Sequence, residues 1–279
     1  MNVLSLFDGL SCGQLALTKA NIEYDTYFAS EIDKDAIKVC MANFPNTIQV
    51  GDVSKLTIDN LPKIDLLIGG SPCQGFSFAG EQLNFDDERS KLFFEYARLK
   101  NELKPKYFLL ENVRMKKEYQ NVITEYLGVR PIEVNSSIFV PQNRPRLYWT
   151  NIPTNFNGIS NDVKLKDILL PDNDVRLEKF MLSDKAIEYM SRLRNGKPRW
   201  EYHTNPLNGN SACLTANMYK GVPYGVIKEK LRRLHPIECE RLQGVPDNYT
   251  EMVSTTQRLK MLGNGWTIDV IAEILKGIQ

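Results

Sequence analysis

Short apolar runs alternate with helical stretches over the first 150 residues of the chain. The apolar and β-branched runs predict strands at residues 3–7, 27–30, 47–50, 65–69, 107–110, 135–140 and 147–150. Helical patterns lie between these runs at residues 13–20, 34–43 and 92–103. Strands separated by helices indicate βαβ units, so we predict an α/β fold with a doubly wound, mostly parallel sheet.

The alternation stops at about residue 150, where Asn, Asp, Gly and Pro become dense. We predict a small irregular lobe over residues 151–229. Helical order then returns, with amphipathic helices predicted at residues 237–242 and 267–276. The predicted organisation is a first domain at 1–150, the lobe, and a C-terminal segment at 230–279 that packs back on the first domain.

Composition narrows the class of protein. Of the 279 residues, 42% are hydrophobic and 25% are charged, which is ordinary for a soluble globular protein. The five cysteines form no CxxC pair, which argues against a disulfide framework and a structural zinc site, and no metal is predicted. Since no apolar run reaches the length of a membrane span and no leader is evident, we expect a cytoplasmic protein.

The net charge of +1 hides a local excess of basic residues. Residues 176–233 hold twelve Lys and Arg but only five Asp and Glu. Such an excess suits a polyanionic partner such as nucleic acid. A basic but merely solvated face is the alternative that charge alone leaves open.

The ends of the first three predicted strands carry groups suited to a nucleoside. The stretch FDGLSCG, from Phe7, follows the first strand, and its glycines allow close approach of a ligand to the backbone. Glu31 ends the second strand, where a Rossmann-like fold places an acid on ribose hydroxyls. Asp52 ends the third strand. We predict a cofactor that contains adenosine, and the lack of G-x-G-x-x-G disfavours NAD and FAD.

The fourth and fifth strand ends carry reactive groups. Cys73 follows the fourth strand on a turn rich in Gly and Pro, which predicts a presented nucleophile, although a buried packing role is the alternative. Glu111 ends the fifth strand, and Arg144 and Arg146 come from the next pair of strands. In a parallel sheet these ends lie at one edge, so we expect a thiol and a carboxyl to face one pocket.

At this point the chain resembles the C5-cytosine DNA methyltransferases, in order from residue 2 to about residue 275 except mainly for residues 151–210. The first motif and the Trp of the last motif are closer to the eukaryotic de novo branch. The motifs that carry the resemblance are FDGLSCG, GGSPCQGFS, SKLFFEYAR, ENVRMK, QNRPRLYW, RRLHPIECERLQGVPDNY and LGNGWTIDVI.

The resemblance implies a chemistry for the second group of residues. Cys73 adds to carbon 6 of a flipped cytosine, and Glu111 engages ring N3. Arg146 contacts the O2 edge, and Arg144 supports the site or binds a phosphate. Carbon 5 then takes the methyl group of S-adenosyl-L-methionine, and water is the default base for the last proton.

The resemblance also implies the residues that bind this cofactor. Gly265 stands where the family usually has Ser, which leaves only a backbone contact at that position. The cofactor-binding residues carried over from the family are Phe7, Asp8, Gly9, Glu31, Ile32, Asp52, Val53, Pro72, Leu92, Asn264, Gly265 and Trp266.

The lobe at 151–229 occupies the target-recognition position of the family, and the implied partner is double-stranded DNA. The stretch 74–89 resembles the loop that closes over the flipped base, so Gln74 and Ser77 are candidate DNA contacts. A small lobe predicts a short site of about two to four base pairs. A cognate restriction endonuclease is a further candidate partner. The candidate contacts in the lobe are Arg192, Arg194, Lys197, Arg199 and Trp200 for phosphates, and Thr215, Asn217 and Lys220 in a reading loop.

Three alternatives differ from this interpretation. One branch of the family methylates transfer RNA and typically carries a Cys-Phe-Thr stretch, which is absent here. A catalytically silent module that binds DNA or the cofactor is disfavoured because Cys73, Glu111 and both arginines are present together. An amino-group methyltransferase requires an Asp/Asn-Pro-Pro-aromatic turn, where this chain has Ser-Pro-Cys.

Overall fold

The computed structural model describes residues 1–72 and 88–278, except for the side chains of residues 88–90 and 203. Cys73, Gln74 and Ser77 lie outside the described residues. The described chain divides into two compact units, which we describe separately. Unit 1 comprises Met1–Asn135, Pro145–Asn157 and Val270–Gln279, and unit 2 comprises Ser136–Arg144 and Gly158–Asp269.

The described part of unit 1 contains a seven-stranded sheet with the order β3-β2-β1-β4-β5-β7-β6. Strands β1 to β5 pair in parallel, and β7 runs antiparallel to both β5 and β6. The predicted α/β class with a doubly wound, mostly parallel sheet is therefore confirmed. The strands are β1 (Asn2–Leu6), β2 (Thr26–Ser30), β3 (Ile48–Gln49), β4 (Leu66–Gly69), β5 (Tyr107–Val113), β6 (Ile132–Asn135) and β7 (Pro145–Thr150).

Helices connect the parallel strands, as the alternating pattern predicts. Asp33 caps α2, because its side chain accepts hydrogen bonds from the amides of Asp35 and Ala36. Gly128 ends α4 in the left-handed conformation that glycine adopts without strain. The helices are α1 (Cys12–Lys19), α2 (Lys34–Asn43), α3 (Glu88–Leu103) and α4 (Lys117–Leu127).

The centre of the sheet forms the core of unit 1. Leu4 on β1 and Leu67 on β4 are fully buried, as expected of parallel strands that are covered on both faces. Tyr96 on α3 and Trp149 on β7 extend this core. The sheet therefore provides a rigid edge from which the loops after β1, β2 and β5 present their side chains.

Unit 2 is less regular, in agreement with the dense turn residues of its sequence. Gln243 lies in its interior, just after α8. The elements after unit 1 are α5 (Leu165–Ile168), α6 (Asp184–Ser191), β8 (Leu193–Arg194), β9 (Lys197–Pro198), α7 (Trp200–His203), β10 (Val226–Ile227), β11 (Arg232–Arg233), α8 (Pro236–Leu242), α9 (Thr255–Asn264) and α10 (Ile268–Leu275). Of these elements, α10 crosses into unit 1 at Val270.

Some predicted elements differ from the structure. The strand predicted at 135–140 is wrong, because β6 ends at Asn135 and Ser136–Ile138 forms a 3₁₀ turn. The amides of Phe139 and Val140 donate to the carbonyl of Ser136 at 2.9 and 3.0 Å, which closes this turn and ends the strand. Helices α4 and α9 have no counterpart in the prediction.

The units also divide the chain differently from the predicted boundaries. Residues 230–269 lie in unit 2, and only the last ten residues of the predicted C-terminal segment belong to unit 1. The functional division into a catalytic domain and a target-recognition lobe stays a prediction. Over the residues that the structure describes, no helix is long and apolar enough to cross a membrane.

Candidate active site

The turn after β1 is built around a buried carboxyl group. Asp8 is 7% exposed, and its Oδ1 accepts a hydrogen bond of 2.7 Å from the hydroxyl of Tyr27. Within the described chain, Asp8 Oδ2 has no hydrogen-bond partner. Burial raises the pKa of Asp8 from 3.8 to about 6, against the opposing effect of hydrogen bonds from Ser5, Tyr27 and Ser11. This turn therefore holds a buried acceptor close to the start of α1.

Glu31, just after β2, organises the backbone around it. Its Oε2 accepts the amide of Gly9 at 2.8 Å, and its Oε1 accepts the amides of Ile32 and Asp33 at 2.8 and 2.9 Å. Gly9 has a φ of +59°, a conformation that favours glycine. The carboxylate thus joins the turn after β1 to the end of β2, and the structure brings Asp8, Gly9 and Glu31 together as the sequence predicts.

The neighbouring positions offer an apolar surface and a second carboxylate. Ile32 is exposed, with 72% of its surface accessible. Asp52 begins the 3₁₀ turn Val53–Lys55, and its Oδ1 accepts the amide and the hydroxyl of Ser54 at 2.9 and 2.8 Å. These two hydrogen bonds lower the pKa of Asp52, so the carboxylate stays ionised near neutral pH. Val53 is buried in the core beneath it.

The remaining cofactor candidates of unit 1 are Phe7, Pro72 and Leu92. Phe7 and Leu92 are partly buried and pack against the core of unit 1. Phe7 has a φ of +58°, an unusual backbone conformation for an aromatic residue. Pro72 is half-buried at the end of the described segment. Their roles in cofactor binding stay predictions.

The tips of β4 and β5 are fastened to each other. The buried Asn112 donates from Nδ2 to the Oγ of Ser71 at 3.2 Å and to its carbonyl at 3.3 Å. Ser71 lies two positions before Cys73. Because neither Asn112 nor Ser71 is exposed, this clamp holds the backbone that leads to the cysteine. The place of the Cys73 side chain itself lies outside the described residues.

Glu111 and Arg146 form an ion pair at the same edge. Arg146 Nε lies 3.0 Å from Glu111 Oε1, and the two side chains are 13% and 11% exposed. The register explains the contact, since Glu111 on β5 stands opposite Tyr148 of β7, and Arg146 lies two residues away on the same face. Arg146 also donates from Nη1 to the carbonyl of Pro145 at 2.9 Å. A carboxyl and a guanidinium are therefore held side by side with little water around them.

Arg144 lies inside unit 2, where its partners are backbone carbonyls and not a carboxylate. It is 2% exposed, and its guanidinium binds the backbone carbonyls of Leu214, Gly263 and Gly265. A phosphate cannot reach a guanidinium buried in this way, so that part of the expectation for Arg144 is wrong. The structure shows the other alternative, a supporting side chain.

The residues predicted for the last part of the cofactor site end α9 in unit 2. Asn264 is exposed, Gly265 is half-buried and Trp266 is 8% exposed. The Gly265 amide donates to the carbonyl of Met261 at 2.7 Å, which closes the helix end. In the same unit Thr215 and Lys220 are exposed and Asn217 is half-exposed, around the 3₁₀ turn Ala216–Lys220. Their contacts with cofactor and DNA stay predictions.

Two basic residues of unit 2 lie on a β-hairpin that was not predicted from the sequence. Arg194 and Lys197 flank Asn195 and Gly196, which both have positive φ and connect β8 to β9. An Asn-Gly pair is the strongest local signal for such a turn. Arg192 and Arg194 are exposed, as a phosphate contact requires. Trp200 is 7% exposed and donates to Ser191 Oγ, so its predicted phosphate contact is wrong.

Arg199, another of the predicted phosphate contacts, is half-buried and lies over the ring of Tyr189, with 4.7 Å between the guanidinium carbon and the ring centroid. Other supporting residues were missed by the sequence-based prediction. Tyr27 and Asn112 lie within strands and Gln243 directly follows α8, and each positions the loops around it. Nothing local in the sequence distinguishes such residues from the rest of the core. In the part of the chain that the structure describes, no group of three or more His, Cys, Asp or Glu suits a metal ion.

Comparison with known proteins shows the family to which these features belong. The model of the family described as C-5 cytosine-specific DNA methylase matches residues 1–279. The Type II methyltransferase M1.ScrFI of Lactococcus lactis subsp. cremoris is 34% identical over 98% of this chain and 76% of its own length. The Type II methyltransferase M.HhaI of Haemophilus parahaemolyticus is 29% identical over 100% of this chain and 94% of its own length.

A solved structure agrees with these matches. It is a prophage-encoded E. coli protein described as a DNA modification methyltransferase, and it superposes with a TM-score of 0.75. The two sequences are 26% identical, and the superposition covers 100% of this chain and 98% of the other. The whole described fold is thus shared with that protein.

Proposed function

The chain belongs to the C-5 cytosine-specific DNA methylase family, and from this membership we propose a role for each site residue in the methylation of cytosine. The activity is transfer of a methyl group to carbon 5 of cytosine in DNA. The observation that supports these roles most directly is the largely buried ion pair of Glu111 and Arg146. It lies at the edge of the sheet where the hydrogen bond from Asn112 holds Ser71, two positions before Cys73.

Cys73 is the proposed nucleophile. Carbon 5 of cytosine is a weak nucleophile until a thiolate adds to carbon 6, which breaks the double bond between carbons 5 and 6 and leaves an electron pair on the ring. The Asn112–Ser71 hydrogen bonds hold the described backbone that precedes Cys73, which supports a nucleophile at this position. Of the other four cysteines, Cys12, Cys40 and Cys239 are buried, and Cys213 lies in unit 2 beside the Arg144 guanidinium.

Glu111 and Arg146 receive the charge that addition creates. The carboxyl of Glu111, protonated when the base is bound, donates its proton to ring N3, and Arg146 donates a hydrogen bond to O2, so the negative charge of the adduct is neutralised. Their ion pair positions both groups before the base arrives, which avoids reorganisation at the moment of reaction. When the electron pair has attacked the methyl group, loss of the carbon 5 proton to water and loss of the thiolate restore the ring. The N3 proton returns to Glu111 when the thiolate leaves.

The proposed cofactor is S-adenosyl-L-methionine, and the described residues fit it. The buried, unmatched acceptor Oδ2 of Asp8 suits the ammonium group of a methionine moiety. Glu31 suits ribose hydroxyls, and the exposed side chain of Ile32 offers an apolar surface to a flat base. When bound, this cofactor supplies an electrophilic methyl group on sulfur. Asn264, Gly265 and Trp266 are proposed to complete the binding site.

Double-stranded DNA is the proposed substrate, and the target base must leave the helix to be reached. Gln74 and Ser77 are proposed to contact it, and a cognate restriction endonuclease remains a candidate partner. In unit 2, Arg192, Arg194 and Arg199 are proposed to contact phosphates, which positions the duplex without reading its sequence. The exposed Thr215 and Lys220 and the half-exposed Asn217 are proposed to contact base edges.

A transfer assay tests this proposal directly. The protein is incubated with methyl-labelled S-adenosylmethionine and unmethylated genomic DNA, and bisulfite sequencing then locates the modified cytosines. We expect 5-methylcytosine at one short sequence, complete loss in Cys73→Ser, and retention in Cys213→Ser. Incorporation into a parallel RNA sample instead of DNA would favour the RNA alternative. Cofactor binding with no transfer to either would favour the silent module.

A further inference from the structure

One buried guanidinium in unit 2 joins two segments that lie about 50 residues apart in the chain. Arg144 Nη1 donates to the carbonyl of Leu214 at 2.7 Å and lies 3.2 Å from Cys213 Sγ. Its Nη2 donates to the carbonyls of Gly265 and Gly263 at 2.7 and 3.2 Å. The first segment leads directly into Thr215–Lys220, and the second is the end of α9 with its following turn.

The two segments also touch through their backbones. A Cβ atom at Gly263 would clash with the carbonyl group of Thr215 and with the amide nitrogen of Ala216. Only glycine allows this approach, because every other residue would push the two backbones apart. The start of Thr215–Lys220 therefore rests on the last turn of α9.

Two buried glutamines provide a second connection between the same segments. Gln142 Oε1 accepts the amide of Leu214 at 2.9 Å, and Gln142 Nε2 donates to Gln243 Oε1 at 3.2 Å. Gln243 Nε2 in turn donates to the carbonyls of Leu262 and Gly265 at 2.7 and 3.1 Å. A displacement of either segment thus breaks hydrogen bonds in an interior where no water replaces them.

We propose that Arg144 is a positioning residue that couples DNA binding at Thr215–Lys220 to cofactor binding at Asn264–Trp266. The inference rests on the proposed function of these two segments and adds an energetic link between them. DNA that fixes the first segment also fixes the carbonyls of Gly263 and Gly265 through the guanidinium. Cofactor affinity therefore rises when DNA is bound, and DNA affinity rises by the same factor when cofactor is bound.

The forked shape of the side chain is what the link requires. The guanidinium directs two nitrogens to two segments at once, whereas a lysine ammonium is a single point that cannot span both. Arg144→Lys keeps the charge and removes the fork. Arg232→Lys is the matched control, because Arg232 is also 2% exposed in unit 2 but binds Glu238 and not these segments.

The test measures the dissociation constant of S-adenosylhomocysteine with and without a duplex that carries the site found by bisulfite sequencing. An abasic nucleotide at the target position removes direct contact between base and cofactor. We expect a ratio of at least about fivefold for the wild type, a clearly smaller ratio for Arg144→Lys, in which only the glutamine connection and the backbone contact remain, and the wild-type ratio for a thermally weakened Arg232→Lys. A wild-type ratio in Arg144→Lys, or its equal loss in Arg232→Lys, would overturn the proposal.

Hydrogen exchange on the wild-type protein gives a test that needs no variant to fold. DNA alone should slow exchange of the Gly265 amide, and cofactor alone should slow that of the Leu214 amide. If each ligand protects only its own segment, the coupling is absent. Wild-type protein that binds neither ligand would instead refute the proposed function itself, so the two failures are distinguishable.

Discussion

At the residue scale, the proposed chemistry depends on a few polar side chains that are held away from water. Asp8, Glu111 and Arg144 are each less than 10% exposed. Burying a charge costs free energy unless partners compensate for it. Arg144 and Glu111 have such partners, whereas Asp8 keeps one oxygen unmatched among the described residues. We infer that unfavourable burial at Asp8 is retained because it serves binding.

Asp8→Asn should remove a pH dependence of stability. The folded protein holds the Asp8 proton up to about pH 6, whereas the ordinary pKa is 3.8, so its stability falls as pH rises through this window. The fall is on the order of 3 kcal/mol and is absent in the variant. Urea unfolding of both proteins between pH 4 and pH 7.5 measures it.

The control for this measurement is Asp52→Asn, because Asp52 has a lowered pKa and a carboxylate bound by Ser54. It should leave the fall between pH 4 and pH 6 in place. An Asp8→Asn protein with the wild-type pH dependence would show that burial does not raise the pKa of this carboxyl. The variant should also bind S-adenosylmethionine more weakly while being more stable at pH 7.5.

Glu111→Gln should slow methyl transfer by about 10² to 10⁴-fold, the usual effect of losing a positioned acid or base. DNA and cofactor affinities should change little, because Glu111 acts mainly on the charge that develops during addition. Single-turnover kinetics separates the two effects. Glu95→Gln is the control, since Glu95 is also paired with an arginine, Arg98 at 2.8 Å, but in a more exposed place. Equal rates for wild type and Glu111→Gln would contradict the role of Glu111.

At the scale of elements, the sequence predicts the parallel half of unit 1 well. The apolar runs that become β1, β2, β4 and β5 are short and continuous, as strands buried on both faces must be. Helix α4 was predictable too, because its buried residues Tyr119, Ile123 and Leu127 recur every four positions. The strand predicted at 135–140 failed, since its apolar residues lie in or next to a turn that the carbonyl of Ser136 closes.

Gly263→Ala should destabilise the protein by about 1–3 kcal/mol, because the new Cβ would overlap the backbone of Thr215. This cost outweighs the better helix propensity of alanine, which favours the substitution by about 1 kcal/mol in an open helix. Chemical unfolding with Thr256→Ala, at an exposed position of the same helix, as the control measures the difference. A stabilised Gly263→Ala protein would show that α9 and Thr215–Lys220 are not in close contact.

At the scale of the whole molecule, the basic residues proposed to bind DNA are concentrated in one unit. The local excess of basic residues lies in unit 2, whereas the net charge is only +1. This placement was visible in the sequence, and so were the acids and the cysteine at the strand ends. The burial of Arg144 and Trp200 was not, because it depends on contacts with residues far away in the chain. Motif position alone does not distinguish a ligand contact from a support beneath one.

Arg194→Gln and Lys197→Gln should weaken DNA binding by a similar factor for all sequences. Each phosphate contact that is lost should reduce the dependence of log K on log salt by about one. Binding titrations between about 50 and 200 mM salt measure this slope. Lys38→Gln, an exposed lysine of unit 1, removes the same charge and should leave the slope unchanged. A variant of the hairpin that keeps the wild-type slope would place its side chains away from DNA.

The most direct test of the central claim is a covalent adduct with DNA that carries 5-fluorocytosine at the target. After methyl transfer, carbon 5 carries a methyl group and a fluorine but no proton. The thiolate is released only when carbon 5 loses a proton, so the bond between sulfur and carbon 6 persists. Peptide mass spectrometry then identifies the bonded residue. The account predicts an adduct at Cys73 that requires S-adenosylmethionine and is lost in Cys73→Ser but not in Cys213→Ser. An adduct at another cysteine, or none despite normal methylation of cytosine, would contradict it.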